Sequence, residues 1–176
     1  GLSKDWIRTV YEDSRGDIWA GANGYLNRYI RNRDTMITYT ANDSIETALH
    51  GQGVFAIIED SDGTMWFGNY RGWLNYVELD QLQDQDPEIT FHSLKEKDHA
   101  ETYIVFGLSE DSQKNLWACT RNGLLKIKDK NIEVIQAVPS KKFNRNNTFF
   151  CITQENENSY WIGTYGNCLA HYDDNT

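Results

Sequence analysis

One short pattern recurs four times along this chain of 176 residues. The copies read VYEDSRGDIWAGANGYLNRY from Val10, IIEDSDGTMWFGNYRGWLNYV from Ile57, LSEDSQKNLWACTRNGLLKIK from Leu108 and ITQENENSYWIGTYGNCLAHY from Ile152. Each copy carries one tryptophan in the same place, and these residues lie 47, 51 and 44 positions apart. They are Trp19, Trp66, Trp117 and Trp161. A β-rich unit that repeats at about this period, 40–50 residues, is typical of a propeller blade, so the repeat predicts a stacked array of small antiparallel sheets.

Each copy begins with a strand that is apolar on both of its faces. One face carries Val10, Ile57, Leu108 and Ile152, with Arg8, Phe55, Phe106 and Phe150 two positions earlier. The other face carries Ile7, Val54, Val105 and Phe149. Because strand side chains alternate between faces, such a strand fits between two neighbouring sheets. We therefore expect these first strands to be buried on both faces, and the four tryptophans to be buried between blades.

An acidic residue six positions before each tryptophan is interpreted as the start of a tight turn, since Asp accepts backbone N–H bonds there. The next strand carries the tryptophan, and a third follows with Leu26, Leu74, Leu125 and Leu169. Fourth strands are predicted at Met36–Thr40, Ile89–Leu94 and Ile132–Val138. The predicted fold is therefore all-β: about four antiparallel propeller blades, the last incomplete, forming a fragment of a larger propeller. The approximate blades are 6–40, 53–94, 103–138 and 148–176.

Composition excludes several functions. The net charge is −9 and the pI is about 4.8, so the segment is not expected to bind nucleic acid. No apolar run approaches 18 residues and no signal peptide is visible, so a membrane is expected only through a parent chain. The three cysteines have no metal-ligand spacing and are interpreted as buried small apolar residues. HExxH, CxxC and GxSxG are absent, which predicts no enzyme activity, metal site or cofactor.

The repeat resembles the two-component regulator propeller repeat, which has the form E-D-x-x-G-x-x-W-x-G followed by Leu-Asn-x-Tyr. The best matches are Glu12-Asp13, Trp19-Ala20-Gly21 and Leu26-Asn27-Arg28-Tyr29, and then Glu59-Asp60, Trp66-Phe67-Gly68 and Leu74-Asn75-Tyr76. The resemblance implies a segment of the periplasmic sensor domain of a hybrid two-component system, as found in gut Bacteroidetes. It also implies a response to glycan fragments, with kinase and DNA-binding output elsewhere in a parent chain.

Positions that every blade shares are explained by folding, so function is expected where the copies differ. The turn between the second and third strands varies most, and equivalent turns of a propeller line one rim. The predicted ligand-binding rim consists of Tyr70, Arg71, Trp73, Arg121, Asn122, Tyr165 and Asn167. Aromatic faces with Arg and Asn donors suit a sugar, and two arginines in one phase of adjacent blades favour an acidic or sulfated one. The alternative is that these are ordinary exposed turn residues.

Two functions of different kinds remain open at the level of sequence. The first is a non-catalytic ligand-sensing segment with an oligosaccharide as its partner. The second is an architectural or protein-interaction segment that mediates dimerisation, because open blade edges expose unpaired backbone groups and invite self-association. A propeller lyase or hydrolase is a more distant third. A four-bladed ring closed as a monomer is not expected.

Overall fold

The computed structural model describes residues 6–71, 73–82, 89–95, 104–121, 123–135, 148–165 and 168–174, with the backbone alone at Trp73. The described residues form fifteen strands and two short 3-10 helices, at Arg31–Arg33 and Leu79–Gln81. In chain order the strands are β1 (Ile7–Glu12), β2 (Ile18–Ala22), β3 (Tyr25–Ile30), β4 (Thr35–Thr40), β5 (Val54–Glu59), β6 (Thr64–Asn69), β7 (Trp73–Glu78), β8 (His92–Lys95), β9 (Val105–Glu110), β10 (Leu116–Thr120), β11 (Leu124–Lys128), β12 (Asn131–Ile135), β13 (Phe149–Asn156), β14 (Ser159–Thr164) and β15 (Leu169–Asp173). No helix among them is long and apolar enough to cross a membrane.

These strands form four antiparallel meanders, each ordered as in the chain: β1-β2-β3-β4, β5-β6-β7-β8, β9-β10-β11-β12 and β13-β14-β15. Three four-stranded sheets and one three-stranded sheet are what the repeat predicts. The first strand of each sheet packs against the first strand of the next, β1 on β5, β5 on β9 and β9 on β13. The four sheets are therefore stacked side by side with their first strands innermost.

The core consists of three apolar layers, each lying between two neighbouring sheets. Trp19 contacts Phe67 of the second sheet, with ring centroids 5.3 Å apart, and Trp117 contacts Tyr160 of the fourth sheet at 4.7 Å. Trp19, Trp66 and Trp117 are at most 3% exposed, so the prediction of buried tryptophans is confirmed for these three copies.

The conserved spacing of acid and tryptophan within each copy has a second cause that the turn interpretation missed. Asp13 Oδ1 accepts the backbone N–H of Arg15 and Asp17, as expected of a turn. Its other oxygen, Oδ2, accepts the indole N–H of Trp19 at 2.7 Å. The same bond joins Asp60 to Trp66 at 2.7 Å and Asp111 to Trp117 at 2.8 Å. The carboxylate therefore satisfies the only polar atom of a buried indole.

The two ends of the array depart from the expectation of burial. Val10 is 62% exposed, although its counterparts Ile57 and Ile152 are each 8% exposed. Trp161 is 37% exposed, so the prediction of a buried tryptophan is wrong for the fourth copy. The physical reason is the same at both ends, since no described sheet packs on the outer face of the first sheet or of the fourth.

The third strand of the third copy was predicted one residue out of register. The pairs Gly21–Leu26, Gly68–Leu74 and Cys119–Leu124 are equivalent, so the counterpart is Leu124 rather than Leu125. A shift by one residue exchanges the two faces of a strand. Accordingly Leu124 packs with Trp117, whereas Leu125 packs in the preceding layer with Trp66.

Two smaller predictions also need correction. The fourth strand of the second sheet begins at His92 rather than Ile89, because the Phe91 N–H donates to the Thr47 carbonyl of a loop instead of joining the sheet. Of the three cysteines, Cys119 is buried, but Cys151 and Cys168 are exposed.

Candidate functional site

A β-bulge occurs at the same repeat position in the first strand of every sheet. The strand pairing shifts between Ile7 and Thr9, and equivalent shifts occur in the other three sheets. The residues left without a ladder partner are Arg8, Phe55, Phe106 and Phe150. A bulge leaves its extra residue unpaired and re-aims that side chain. Four bulges in register on adjacent innermost strands therefore turn four side chains in the same way.

These four side chains form one continuous row across the sheets, which we call the inner ladder. The Arg8 guanidinium carbon lies 4.8 Å from the ring centroid of Phe55. Phe55 and Phe106 are 6.0 Å apart, and Phe106 and Phe150 are 4.9 Å apart, both in edge-on or tilted geometry that aromatic pairs prefer. Phe150 is 41% exposed at the end of the row. The inner ladder is thus a partly exposed strip of one guanidinium and three phenyl rings that spans all four sheets.

Two of the predicted rim residues flank this ladder. Tyr70 stacks beside Phe55 with ring centroids 6.4 Å apart, and Tyr165 meets Phe150 at 6.2 Å. Tyr70 is 38% exposed and Tyr165 is 66% exposed. The turns between second and third strands and the inner ladder therefore lie at the same end of the sheets.

The structure brings the turns of the second and third sheets together at one residue. Ile104 forms an isolated β-bridge with Tyr70, and its carbonyl accepts the N–H of Arg121 at 3.1 Å. Arg71 follows Tyr70 with a φ of 71°, in the left-handed region, and both Arg71 and Arg121 are exposed. Among the remaining predicted rim residues, the Trp73 side chain, Asn122 and Asn167 lie outside the described part of the structure.

The opposite end of the sheets has a groove of about 520 Å³ between the second and third sheets. The Lys114 ammonium contacts Asp62 at 2.5 Å, which raises the pKa of that lysine, and Lys130 contacts Glu78. Burial by itself would raise the pKa of Glu78, but hydrogen bonds from Lys130 and Thr64 outweigh it and the pKa is lowered. These two ion pairs join the second and third sheets across the groove.

Three observations describe the titratable groups in relation to the inner ladder. Among the described residues, no group of three or more His, Cys, Asp or Glu is placed to hold a metal ion. Burial, with a smaller contribution from Cys151, raises the pKa of the Cys119 thiol, the opposite of what an activated nucleophile needs. The carboxylates whose pKa values are lowered, Glu78, Asp111, Glu155 and Asp174, are all hydrogen-bonded at the other end of the sheets.

The inner ladder was missed at the level of sequence although its signal was present. The column Arg8, Phe55, Phe106 and Phe150 is visible in the aligned copies, but a strictly alternating strand placed it on a buried face. A bulge breaks that alternation, and the sequence of a single copy does not indicate that a bulge is present. Three phenylalanines recurring at a strand entry, where the neighbouring column is occupied by small residues, could have indicated a separate role.

Comparison with known proteins identifies the repeat and the fold. Residues 1–24 and 48–71 match the family model described as "Two component regulator propeller". No curated protein matches the chain in sequence. The chain is similar in fold to the extracellular domain of BT3049 from B. thetaiotaomicron, described as a hybrid two component system. That match has a TM-score of 0.79 and 16% identity, and covers 99% of this chain and 24% of the other.

Two further solved structures show the range of proteins with this fold. The extracellular domain of BT4673 from B. thetaiotaomicron, described as a one component system, matches with a TM-score of 0.70 and 21% identity over 97% of this chain and 22% of its own. Virginiamycin B lyase from Staphylococcus aureus matches with a TM-score of 0.64 and 15% identity over 98% of this chain and 57% of its own. The chain spans about a quarter of the two extracellular domains and somewhat more than half of the lyase. Such identities show a shared fold, and the predicted propeller architecture is confirmed.

Proposed function

We propose that this chain, of which residues 1–24 and 48–71 match the two-component regulator propeller model, is a non-catalytic, ligand-sensing segment of an extracytoplasmic sensor domain, periplasmic in location, that responds to a carbohydrate. Two fold neighbours support the cellular context, because both are extracellular domains of proteins described as component systems. Fold alone does not assign a ligand, so the proposal depends on the chemistry of the site.

The observation that carries the proposal is the inner ladder with its flanking tyrosines. Sugars bind proteins through two features at once, an apolar C–H face that stacks on aromatic rings and hydroxyl groups that bond to donors and acceptors. The ladder supplies the rings, and Tyr70 and Tyr165 add exposed rings with hydroxyl groups. Arg71 and Arg121 supply donors at the same end of the sheets. The arrangement is elongated across four sheets, which fits an oligosaccharide better than a single sugar.

Absence of catalysis is part of the proposal and is supported by where the perturbed groups lie. An active site usually holds an acid, base or nucleophile with a shifted pKa next to the substrate. In the described part of the chain, the carboxylates with lowered pKa values lie at the end opposite the inner ladder. A lyase among the fold neighbours shows only that the scaffold accommodates chemistry in another protein.

The test is a titration of the protein with a panel of neutral and acidic oligosaccharides, followed by calorimetry. We expect Tyr165→Ala and Arg121→Ala each to weaken binding about 3- to 10-fold, as the loss of one ring contact or one charge-assisted bond does. Val134→Ala is the matched control, because Val134 is 37% exposed on an outer strand away from the ladder. Unchanged affinity in both site variants, with their folds intact, would remove this surface as the binding site.

A second function, self-association through the end faces, is favoured by a specific observation. Val10, Trp161 and Leu169 occupy positions that are buried between sheets elsewhere, yet they are 62%, 37% and 61% exposed. These side chains lie on the outer faces of the first and fourth sheets. We propose a second copy of this chain as the partner that covers them.

A further inference from the structure

Arg8 differs in its surroundings from Arg28 and Arg31 of the same blade. Arg28 is buried and bonds to Asp17 through Nε at 3.0 Å and Nη2 at 2.7 Å, and Arg31 contacts Glu12 at 2.8 Å. Arg8 is exposed, and no described carboxylate or carbonyl lies within hydrogen-bonding distance of its guanidinium. Its N–H donors are therefore available to a ligand.

Two aromatic rings hold the Arg8 guanidinium in place. Its central carbon lies 4.4 Å from the ring centroid of Trp6 and 4.8 Å from that of Phe55. Cation–π attraction to two rings restricts where the guanidinium can lie. Fixing its position in advance lowers the entropy lost when a ligand binds. Arg8 thus presents a pre-organised fork at one end of the inner ladder.

Two exposed arginines of other sheets, Arg71 and Arg121, lie at the same end of the sheets as the inner ladder. The paired acids Asp62 and Glu78 lie at the opposite end. Although the whole chain carries a net charge of −9, interactions beyond about 8 Å are screened at physiological ionic strength. A ligand bound beside Arg8 therefore interacts more strongly with the Arg8 guanidinium than with the net charge of the chain.

We propose that Arg8 anchors an anionic group of a saccharide, a carboxylate or a sulfate, while the sugar rings lie along Phe55, Phe106 and Phe150. This inference rests on the proposed function and adds the residue that binds the charged group of the ligand. A planar guanidinium edge matches two oxygen atoms of either group, which a lysine ammonium does not. Neutral oligosaccharides then bind the same ladder more weakly.

The experiment compares three probes of equal length by calorimetry: a galacturonic acid trisaccharide, a sulfated galactose trisaccharide and a neutral galactose trisaccharide. We expect the wild-type protein to bind at least one acidic probe about tenfold more tightly than the neutral one, and this preference to shrink as salt is added. Arg8→Gln abolishes the preference, so that the acidic and neutral probes bind with similar affinity. Arg8→Lys retains only part of the preference, because the charge remains without the fork.

Arg33→Gln is the matched control, since Arg33 is an exposed arginine in the short helix that precedes β4. It should leave all three affinities unchanged, and melting temperatures should show that both Gln variants are folded. Equal binding of acidic and neutral probes by the wild-type protein, or an undiminished preference in Arg8→Gln, overturns the inference but leaves the proposed function standing. If none of the probes nor any panel oligosaccharide binds, both fail together.

Discussion

Asp111 illustrates how a single carboxylate serves turn, core and sheet interface at once. Its Oδ1 accepts the backbone N–H of Gln113 and Asn115, and its Oδ2 accepts the indole N–H of Trp117. The Tyr160 hydroxyl of the next sheet donates to the same Oδ2 at 2.8 Å. Burial alone would raise the pKa of Asp111, but bonds from Asn115, Trp117 and Tyr160 outweigh it, so the pKa is lowered.

This lowered pKa predicts an acid-labile interface. A carboxyl whose folded pKa lies below its unfolded value stabilises the protein above the unfolded value, about 3.9 for Asp, and the contribution is lost as pH falls through the folded value. Asp111→Asn replaces an acceptor by a donor that faces other donors and should cost about 2–3 kcal/mol at pH 7. Melting curves should show that the difference in melting temperature between the variant and the wild type becomes smaller below about pH 4. A difference independent of pH would contradict this account.

The repeated tryptophans allow a comparison within one chain. Trp66 is 3% exposed between two sheets, and Trp161 is 37% exposed on an outer face. Truncation of a buried aromatic residue costs about 3–5 kcal/mol, so Trp66→Ala should unfold the protein or greatly lower its melting temperature. Trp161→Ala should have a much smaller effect, because less apolar surface is removed from contact. Equal losses in the two variants would refute the assignment of the interfaces.

A repeated hydrogen bond joins the first turn of each of the first three sheets to the first strand of the following sheet. The N–H of Ser14 donates to Glu59 at 2.6 Å, that of Ser61 to Glu110 at 2.9 Å, and that of Ser112 to Gln154 at 2.9 Å. The first acid of the Glu-Asp pair therefore belongs to an interface between sheets, and the second belongs to the turn and its own tryptophan. A paired acid in the repeat reflects two separate contacts.

These hydrogen bonds predict that equivalent glutamates contribute differently to the free energy of unfolding. Glu110 accepts both the N–H and the hydroxyl of Ser61, so Glu110→Ala should lower the free energy of unfolding by about 1 kcal/mol. No described turn donates a hydrogen bond to Glu12, and among the described residues its ion pair is with the exposed Arg31. Glu12→Ala should therefore change the free energy of unfolding by less than about 0.5 kcal/mol. Glu110→Gln should be nearly neutral, because Gln154 makes the same bond with an amide oxygen. Chemical denaturation would measure all three; a costly Glu12→Ala would contradict the model.

In the whole molecule, the outer faces of the first and fourth sheets both expose apolar side chains that could pack against each other. The outer face of the first sheet exposes Val10 at the position where Ile57 and Ile152 are buried. The outer face of the fourth sheet exposes Trp161 and Leu169, whose counterparts in the other sheets pack against the next sheet. One copy could thus place its fourth sheet on the first sheet of another, a heterologous contact that closes only if the rotation permits.

Self-association through these faces predicts a concentration-dependent dimer in light scattering. Placing a charge on each face, in the double variant Val10→Glu and Leu169→Glu, should leave a folded monomer, since both side chains are exposed in the single chain. Val134→Glu is the control, because Val134 is exposed on β12 and belongs to neither face. A wild-type protein that stays monomeric across the accessible concentrations would remove self-association as a function.

The sequence alone determined the features that depend on contacts within one copy. The spacing of acid, turn and tryptophan recurs because each blade forms the same hairpin and the same Asp–indole bond, and these are local interactions. The strand pattern and the three described strands of the fourth sheet follow from the same repeat. Which residues each repeated position contacts depends on the tertiary structure. Val10 and Ile57 are equivalent in sequence, yet one is exposed because burial depends on a neighbouring sheet. Likewise the bulges that assemble the inner ladder depend on how adjacent innermost strands pack, and that packing is not encoded in the period of any single strand.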